Sequence, residues 1–115
     1  MRRVEQRHVT HGALTEPVFL ILTSLAAASR HGYALIKDIE SLSEGRVRVS
    51  TGTLYGALRR LLEDGWIERF AQDDTSRDKQ AYRLTSAGRT VLEGEVERLK
   101  QLTRAAAARL QVKEA

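Results

Sequence analysis

Two short runs of alternating apolar and polar residues, 66–70 and 80–84, interrupt a chain whose other apolar residues recur at helical spacing. Alternation is typical of half-buried strands, and the polar stretch 71–79 between the runs predicts a hairpin with a charged tip. Helical patterns cover residues 16–29, 32–42, 51–64 and 85–112. This order predicts a mainly α fold with a small β-hairpin, in which a winged helix-turn-helix is followed by a long C-terminal helix.

Capping residues mark the ends of several helical patterns. Pro17 suits the first turn of the first helix, and Ser50 and Thr85 are suitable N-caps for the third helix and the last. Gly65 can adopt the left-handed conformation that ends a helix. Residues 1–14 mix charged residues with a few spaced apolar ones, so they form either an arm or a short helix.

Composition excludes several classes of protein. A chain of 115 residues with 42% hydrophobic residues and one proline fits one compact domain. It contains no cysteine, and His8, His11 and His31 lack the spacing of a metal site, so no metal or other cofactor is expected. Because no glycine-rich phosphate loop follows a strand and no nucleophile elbow is present, we do not expect an enzyme.

Charge and hydropathy indicate where the protein acts. The uncharged run 17–29 is too short to cross a bilayer, which needs about 20 apolar residues. The first residues lack the apolar stretch of a secretory signal, so we expect a cytoplasmic protein without a membrane partner. A formal net charge of +4 favours a polyanionic partner.

The third predicted helix, 51–64, has two unlike faces. The apolar face, which must pack on the core, consists of Leu54, Ala57, Leu58, Leu61 and Leu62. The opposite face consists of Gly52, Gly56 and Arg59, flanked by Thr53, Tyr55 and Arg60. Glycine inside a helix lowers helix stability by roughly 1 kcal/mol relative to alanine. The two glycines on this face therefore indicate a role other than helix stability. A bare backbone permits close approach to a partner.

The groups around this bare face are those that a DNA major groove requires. Ser50, Thr51 and Thr53 lie at the helix N-terminus, where free N–H groups favour a phosphate. The guanidinium of Arg59 can bind guanine or phosphate. The pattern therefore predicts a helix that enters the major groove. The alternative is that Arg59 and Arg60 form only a solvated surface.

Four motifs in order resemble the PadR family of bacterial transcriptional regulators, in its compact form with a short C-terminal region. They are His31–Leu35, Ser50–Leu61, Asp64–Ile67 and Tyr82–Gly88, and the resemblance covers about residues 14–110. The sequence departs from the family at Thr51 and Gly56, where members often have proline.

The resemblance implies that helix 51–64 is the recognition helix and that the hairpin is a wing against neighbouring phosphates or the minor groove. Arg77 and Lys79 would be its contacts, although Asp73, Asp74 and Asp78 leave internal pairing of Arg77 as an alternative. Arg46 and Arg48 are expected to bind the DNA backbone, unless Arg48 only flanks a strand. The expected DNA-binding residues are Arg46, Arg48, Ser50, Thr51, Gly52, Thr53, Tyr55, Gly56, Arg59, Arg60, Arg77 and Lys79.

Two aromatic residues outside this set, Tyr33 and Trp66, are interpreted as packing residues. Tyr33 begins the second helix beside a glycine, and Trp66 follows the end of the third helix at the foot of the hairpin. Tyr55, by the same resemblance, lies at the DNA face, where its hydroxyl can bind phosphate.

The last helix carries a seam of apolar and small residues at alternating steps of four and three positions. The seam consists of Leu92, Val96, Leu99, Thr103, Ala106 and Leu110. At 1.5 Å per residue the helix reaches roughly 40 Å, too far for so small a domain to cover. The seam therefore predicts self-association. By resemblance it forms a two-fold dimer whose palindromic half-sites lie about 34–36 Å apart.

These observations predict a dimeric, sequence-specific DNA-binding transcriptional regulator. The resemblance implies a repressor released by a small aromatic or drug-like effector. The expected parts are 1–14, an N-terminal arm or short helix; 15–84, a winged helix DNA-binding domain; and 85–115, a C-terminal dimerisation helix. The alternative is a winged-helix protein–protein interaction module, which the acidic hairpin tip favours.

Overall fold

The computed structural model describes residues 13–70 and 80–114. The interpretation of residues 1–12, and the predicted wing contacts Arg77 and Lys79, lie outside the described residues. Along the chain the elements are α1 (Glu16–Ala27), β1 (Arg30–His31), α2 (Gly32–Leu42), α3 (Thr51–Asp64), β2 (Ile67–Phe70), β3 (Ala81–Leu84) and α4 (Ser86–Glu114). The predicted fold class, a winged helix-turn-helix followed by a long helix, is confirmed.

Local capping fixes the helix ends. Ser50 Oγ accepts a hydrogen bond from Thr53 N at 3.1 Å, and α3 ends where Gly65 adopts a φ of 78°. Thr15 Oγ1 accepts from Val18 N at 3.3 Å at the start of α1. The bounds of α2 and α3 agree with the sequence prediction. In contrast, α1 ends at Ala27, two residues before the predicted end at 29.

A third strand, absent from the sequence prediction, shortens α1. The strands lie in the order β1-β3-β2, and both pairs are antiparallel. Tyr82 of β3 lies opposite Arg30 of β1 on one side and opposite Arg69 of β2 on the other. Two residues are too few to show alternation, so β1 is visible only through its pairing with a distant strand.

The core lies between α1, α2, α3 and the sheet. Leu22, Leu35, Ile39 and Leu54 are fully buried at its centre. Trp66 is 5% exposed and closes the core at the foot of β2, as expected from the sequence. The side chain of Tyr33, however, is 71% exposed, so its interpretation as a packing residue is wrong.

A tight joint fixes α4 against the winged domain. Thr85 Oγ1 donates to the carbonyl of Gly65 at 2.7 Å and accepts from Gly88 N at 3.0 Å. The amide of Thr85 donates to the carbonyl of Trp66 at 3.1 Å. A Cβ added to Gly88 would collide with this carbonyl, so only glycine allows the first turn of α4 to lie so close.

Candidate nucleic-acid interface

The two faces of α3 are arranged as the sequence predicts. Leu54, Ala57, Leu58 and Leu61 are buried, and Leu62 is half-buried. The side of α3 turned away from the core presents Gly52, Thr53, Tyr55, Arg59 and Arg60 to solvent, with Gly56 half-buried between them. The structure therefore brings together, on one helix face, six of the twelve residues expected to contact DNA.

The fold itself does not require glycine at positions 52 and 56. Gly52 and Gly56 lie in regular helix, whereas the glycines with positive φ in the described chain are Gly45 and Gly65. A Cβ added at Gly52 or Gly56 would meet nothing within 4 Å. Both positions are thus free of internal constraint, and the absence of side chains makes this face slim enough for a partner to reach the helix backbone.

Hydroxyl groups surround the N-terminus of α3. Ser50 Oγ caps the helix and also donates to Thr53 Oγ1 at 3.0 Å. The Thr53 hydroxyl therefore accepts from Ser50 and retains its own proton for an external acceptor. Thr51, in the first turn, is exposed. This end of α3 presents hydrogen-bond donors where the helix dipole favours an anion.

The four predicted arginine contacts that lie within the described residues fall into two groups. Within residues 13–70 and 80–114, Arg59 and Arg60 form no ion pair, so their guanidinium groups are available to a partner. Arg46 Nη2 lies 2.6 Å from Glu16 Oε2, and Arg48 Nε lies 3.4 Å from Glu40 Oε2. The hydrogen bond from Arg46 lowers the pKa of Glu16 below its ordinary value, so this carboxylate stays charged at neutral pH.

Tyr55 connects α3 to the start of α2. Its side chain is 43% exposed, and its hydroxyl lies against the backbone of Gly32, where an added Cβ would collide with it. Tyr33, the residue after Gly32, has an exposed ring, and Lys37 Nζ lies 5.7 Å from the centre of that ring. Sequence reasoning missed this exposed pair, although the spacing of four residues places both side chains on one helix face.

The seam of α4 is largely open to solvent. Leu92 is buried near the winged domain, but Val96 is 36% exposed, Leu99 37% and Leu110 62%. Thr103 and Ala106 are also exposed. A shallow groove of about 490 Å³ runs along this part of α4, and it is lined by Phe19, Val96, Leu99, Lys100, Thr103 and Arg104.

No helix in the described part of the chain is both long enough and apolar enough to cross a membrane. Across 13–70 and 80–114, no three His, Asp or Glu side chains converge in a geometry that could hold a metal ion.

The sequence profile of the transcriptional regulator PadR-like family matches residues 21–94. The matched region runs from α1 through the hairpin into α4, so it includes the whole of the exposed α3 face. The chain belongs to the PadR-like family of transcriptional regulators. No curated protein is similar enough to match.

Solved structures with the same fold include transcriptional regulators from several bacteria. A transcriptional regulator from Clostridium thermocellum is 23% identical, with a TM-score of 0.67 over 79% of this chain and 89% of that chain. A PadR family transcription regulator from hypervirulent Clostridium difficile is 22% identical, with a TM-score of 0.68 over 82% and 97%. A PadR-like transcriptional regulator from Bacillus cereus is 21% identical, with a TM-score of 0.68 over 82% and 90%. Identities this low establish the fold alone.

Proposed function

We propose that the protein is a dimeric, sequence-specific DNA-binding regulator, with residues 15–84 as its DNA-binding domain. The observation that carries this proposal is the exposed face of α3, where two glycines lie beside two arginines that form no ion pair with any described residue. A slim helix bearing guanidinium groups fits a major groove and can bind guanine through bidentate hydrogen bonds. The family match supports the role in transcription.

Backbone contacts complete the proposed interface. Thr51, Thr53 and the N-terminus of α3 offer donors to a phosphate. We assign the Tyr55 hydroxyl, which lies against Gly32 at the start of α2, to a separate phosphate contact. The sequence between β2 and β3 contains Arg77 and Lys79, which we assign to the neighbouring phosphates. Such contacts fix the position of α3 on the duplex without selecting a base sequence.

Residues 85–115 are assigned to dimerisation. An apolar stripe along α4 that the described chain leaves exposed supports this assignment, because a second copy would remove it from water. A two-fold axis at α4 would present two recognition helices to successive turns of the groove, and the operator would then be a palindrome.

We also propose that the protein is a repressor and that a small aromatic or drug-like molecule releases it from DNA. The open groove beside Phe19 and Leu99 supports this, because it is lined by residues of the proposed dimer seam, where a bound ligand would change how the two chains pack. A ligand that binds one spacing of the two recognition helices better than another would change operator affinity. Compounds that bind the groove and leave operator affinity unchanged would contradict this mechanism.

The decisive experiment selects sequences from a pool of random duplex DNA and measures the mass of the protein in the same buffer. We expect a palindrome bound by a dimer. Arg59→Ala should weaken binding to that palindrome about tenfold or more. Arg109→Ala removes the same charge from the far end of α4 and should have a much smaller effect. A folded dimer that enriches no sequence would favour the protein–protein interaction module instead.

A further inference from the structure

The segment that leads into the recognition helix carries two arginines, and each is already held by a carboxylate from another element. Glu16 in the first turn of α1 binds Arg46, with 2.6 Å between Oε2 and Nη2. Glu40 in α2 faces Arg48, with 3.4 Å between Oε2 and Nε. All four side chains are substantially exposed, so a DNA backbone lying along this segment would meet both members of each pair.

The ion pairs are not what holds the segment in place. Buried Ser43 accepts a hydrogen bond from the amide of Val47 at 2.9 Å, and it donates to the carbonyl of Glu40 at 3.3 Å. Val49 lies in the core, 9% exposed, one residue before the cap of α3. Exposed ion pairs contribute little to folding in comparison with such buried contacts. The two carboxylates therefore affect the surface charge more than the fold.

Their electrostatic effect is to cancel the positive charge beside the N-terminus of α3. Glu44 is a third carboxylate near Arg46, so acidic groups outnumber the two arginines here. Arg59 and Arg60 on α3, in contrast, have no such partner among the described residues. Positive charge is thus retained at Arg59 and Arg60, the proposed base contacts, and neutralised at Arg46 and Arg48, which precede the helix.

We propose that Glu16 and Glu40 compete with DNA phosphates for Arg46 and Arg48 and thereby restrain sequence-independent binding. This inference rests on the DNA-binding function proposed above. A phosphate must break each ion pair to bind the arginine, and the displaced carboxylate then repels the DNA. Because phosphate contacts dominate binding to random sequence, the competition leaves base contacts from α3 with a larger share of the affinity.

The test compares the full chain with its Glu16→Gln and Glu40→Gln variants on random-sequence duplex DNA over a range of salt concentrations. Glutamine keeps the size of the side chain and removes the charge. We expect each variant to bind random duplex about threefold to tenfold more tightly at low salt. The slope of log affinity against log salt should steepen by up to about 0.9 for each arginine that gains a phosphate.

A matched control separates local competition from overall charge. Glu97→Gln removes one charge from an exposed position on α4 and should leave random-duplex affinity nearly unchanged. A double-mutant cycle then identifies the arginine responsible. Arg46→Ala should weaken binding far more in the Glu16→Gln protein than in the parent, because only there is Arg46 free to bind phosphate.

The outcomes distinguish this inference from the function on which it rests. Failure of the parent protein to bind any duplex would overturn the proposed function. Binding by the parent that is unchanged or weakened in Glu16→Gln and Glu40→Gln would overturn the competition alone. So would a gain in affinity that Glu97→Gln reproduces, or a gain from Glu16→Gln that persists after Arg46→Ala. Thermal melting of each variant checks that the fold is retained.

Discussion

The carboxylate of Glu95 in α4 accepts a hydrogen bond from the backbone amide of Leu14, with 3.1 Å between Leu14 N and Glu95 Oε2. Arg98, one turn further along α4, donates to the same carboxylate at 2.7 and 3.0 Å. Glu95 is only 5% exposed. This carboxylate therefore joins the residues before α1 to the long helix, across 81 positions of sequence, beside the exposed seam.

Replacement of Glu95 should destabilise the protein. Glu95→Ala leaves the Leu14 amide and the Arg98 guanidinium without their acceptor, and we expect a loss of about 1–3 kcal/mol in the free energy of unfolding. Chemical denaturation at a fixed protein concentration measures it. Glu97→Ala, on an exposed side of the same helix, should change stability by less than about 0.5 kcal/mol. Equal losses in both variants would show that the hydrogen bonds of Glu95 contribute nothing.

The same carboxylate should make stability depend on pH. The hydrogen bond from Arg98, which outweighs the effect of burial, lowers the pKa of Glu95 below its ordinary value of 4.5, and the Leu14 amide lowers it further. A pKa that is lower in the folded state than in the unfolded state stabilises the fold above the unfolded pKa, and this stabilisation is lost as pH falls through the folded pKa.

We therefore expect the stability difference between the parent protein and Glu95→Gln to be largest near neutral pH. It should shrink once the pH falls below about 4.5, because protonated Glu95 then resembles glutamine. Urea denaturation of both proteins across this pH range measures the difference. A difference that grows on acidification would contradict the assignment of a lowered pKa to Glu95.

The joint between the winged domain and α4 predicts opposite effects for two glycine substitutions in one helix. In Gly88→Ala the added Cβ meets the carbonyl of Trp66 and lies 2.9 Å from Leu84 Cδ1, so about 1–3 kcal/mol of stability should be lost. Gly94→Ala meets nothing within 4 Å and should stabilise the protein by about 0.5–1 kcal/mol. Thermal and chemical denaturation measure the stability of both variants. If Gly94→Ala destabilised the protein as much as Gly88→Ala, the contact with the Trp66 carbonyl would not be the cause of the loss.

How far the sequence predicts this structure depends on whether the relevant interaction is local. The ends of α3 are predictable because Ser50 and Gly65 act within a few residues of themselves. The faces of α3 are predictable because apolar residues repeat at helical spacing over its whole length. Strand β1 is not predictable in this way, because it is defined by pairing with β3, in which Arg30 lies opposite Tyr82, more than fifty positions away.

The candidate site shows the same limit. The exposure of Tyr33 follows from its position about 200° around the helix from buried Leu35, but a glycine before it and apolar residues after it obscure the pattern. The carboxylates that hold Arg46 and Arg48 were not predictable from spacing. Glu16 lies 30 positions from Arg46 and meets it only because α1 and the segment before α3 pack together.

A substitution at Gly56 should separate stability from DNA binding. In the described part of the chain nothing beyond its own helix and chain neighbours lies within 4 Å of a Cβ added at Gly56, so Gly56→Ala should raise stability by about 1 kcal/mol through helix propensity. If the bare backbone faces the groove, the methyl group should weaken operator binding about tenfold. Denaturation and operator titration on the same sample measure both effects. Unchanged affinity in a stabilised variant would exclude close approach of DNA at this position.

The seam of α4 gives a test of dimerisation that does not depend on DNA. Leu99 is 37% exposed and lines the groove beside Phe19, so Leu99→Glu should leave the winged domain folded while placing a charge in the proposed interface. We expect the mass in solution to fall from that of two chains to that of one. Affinity for a palindromic operator should fall with it, since each chain then binds a half-site alone.

Gln101→Glu is the matched control, because it introduces the same charge two residues further on, about 200° around the helix, at an exposed position. It should remain a dimer with parental operator affinity. A Leu99→Glu protein that keeps the mass of two chains would place the dimer interface elsewhere on the molecule. A parent protein that is a monomer at all concentrations, yet binds a palindrome tightly, would mean that the two copies meet only on DNA, where the operator holds the α4 helices close enough to pair.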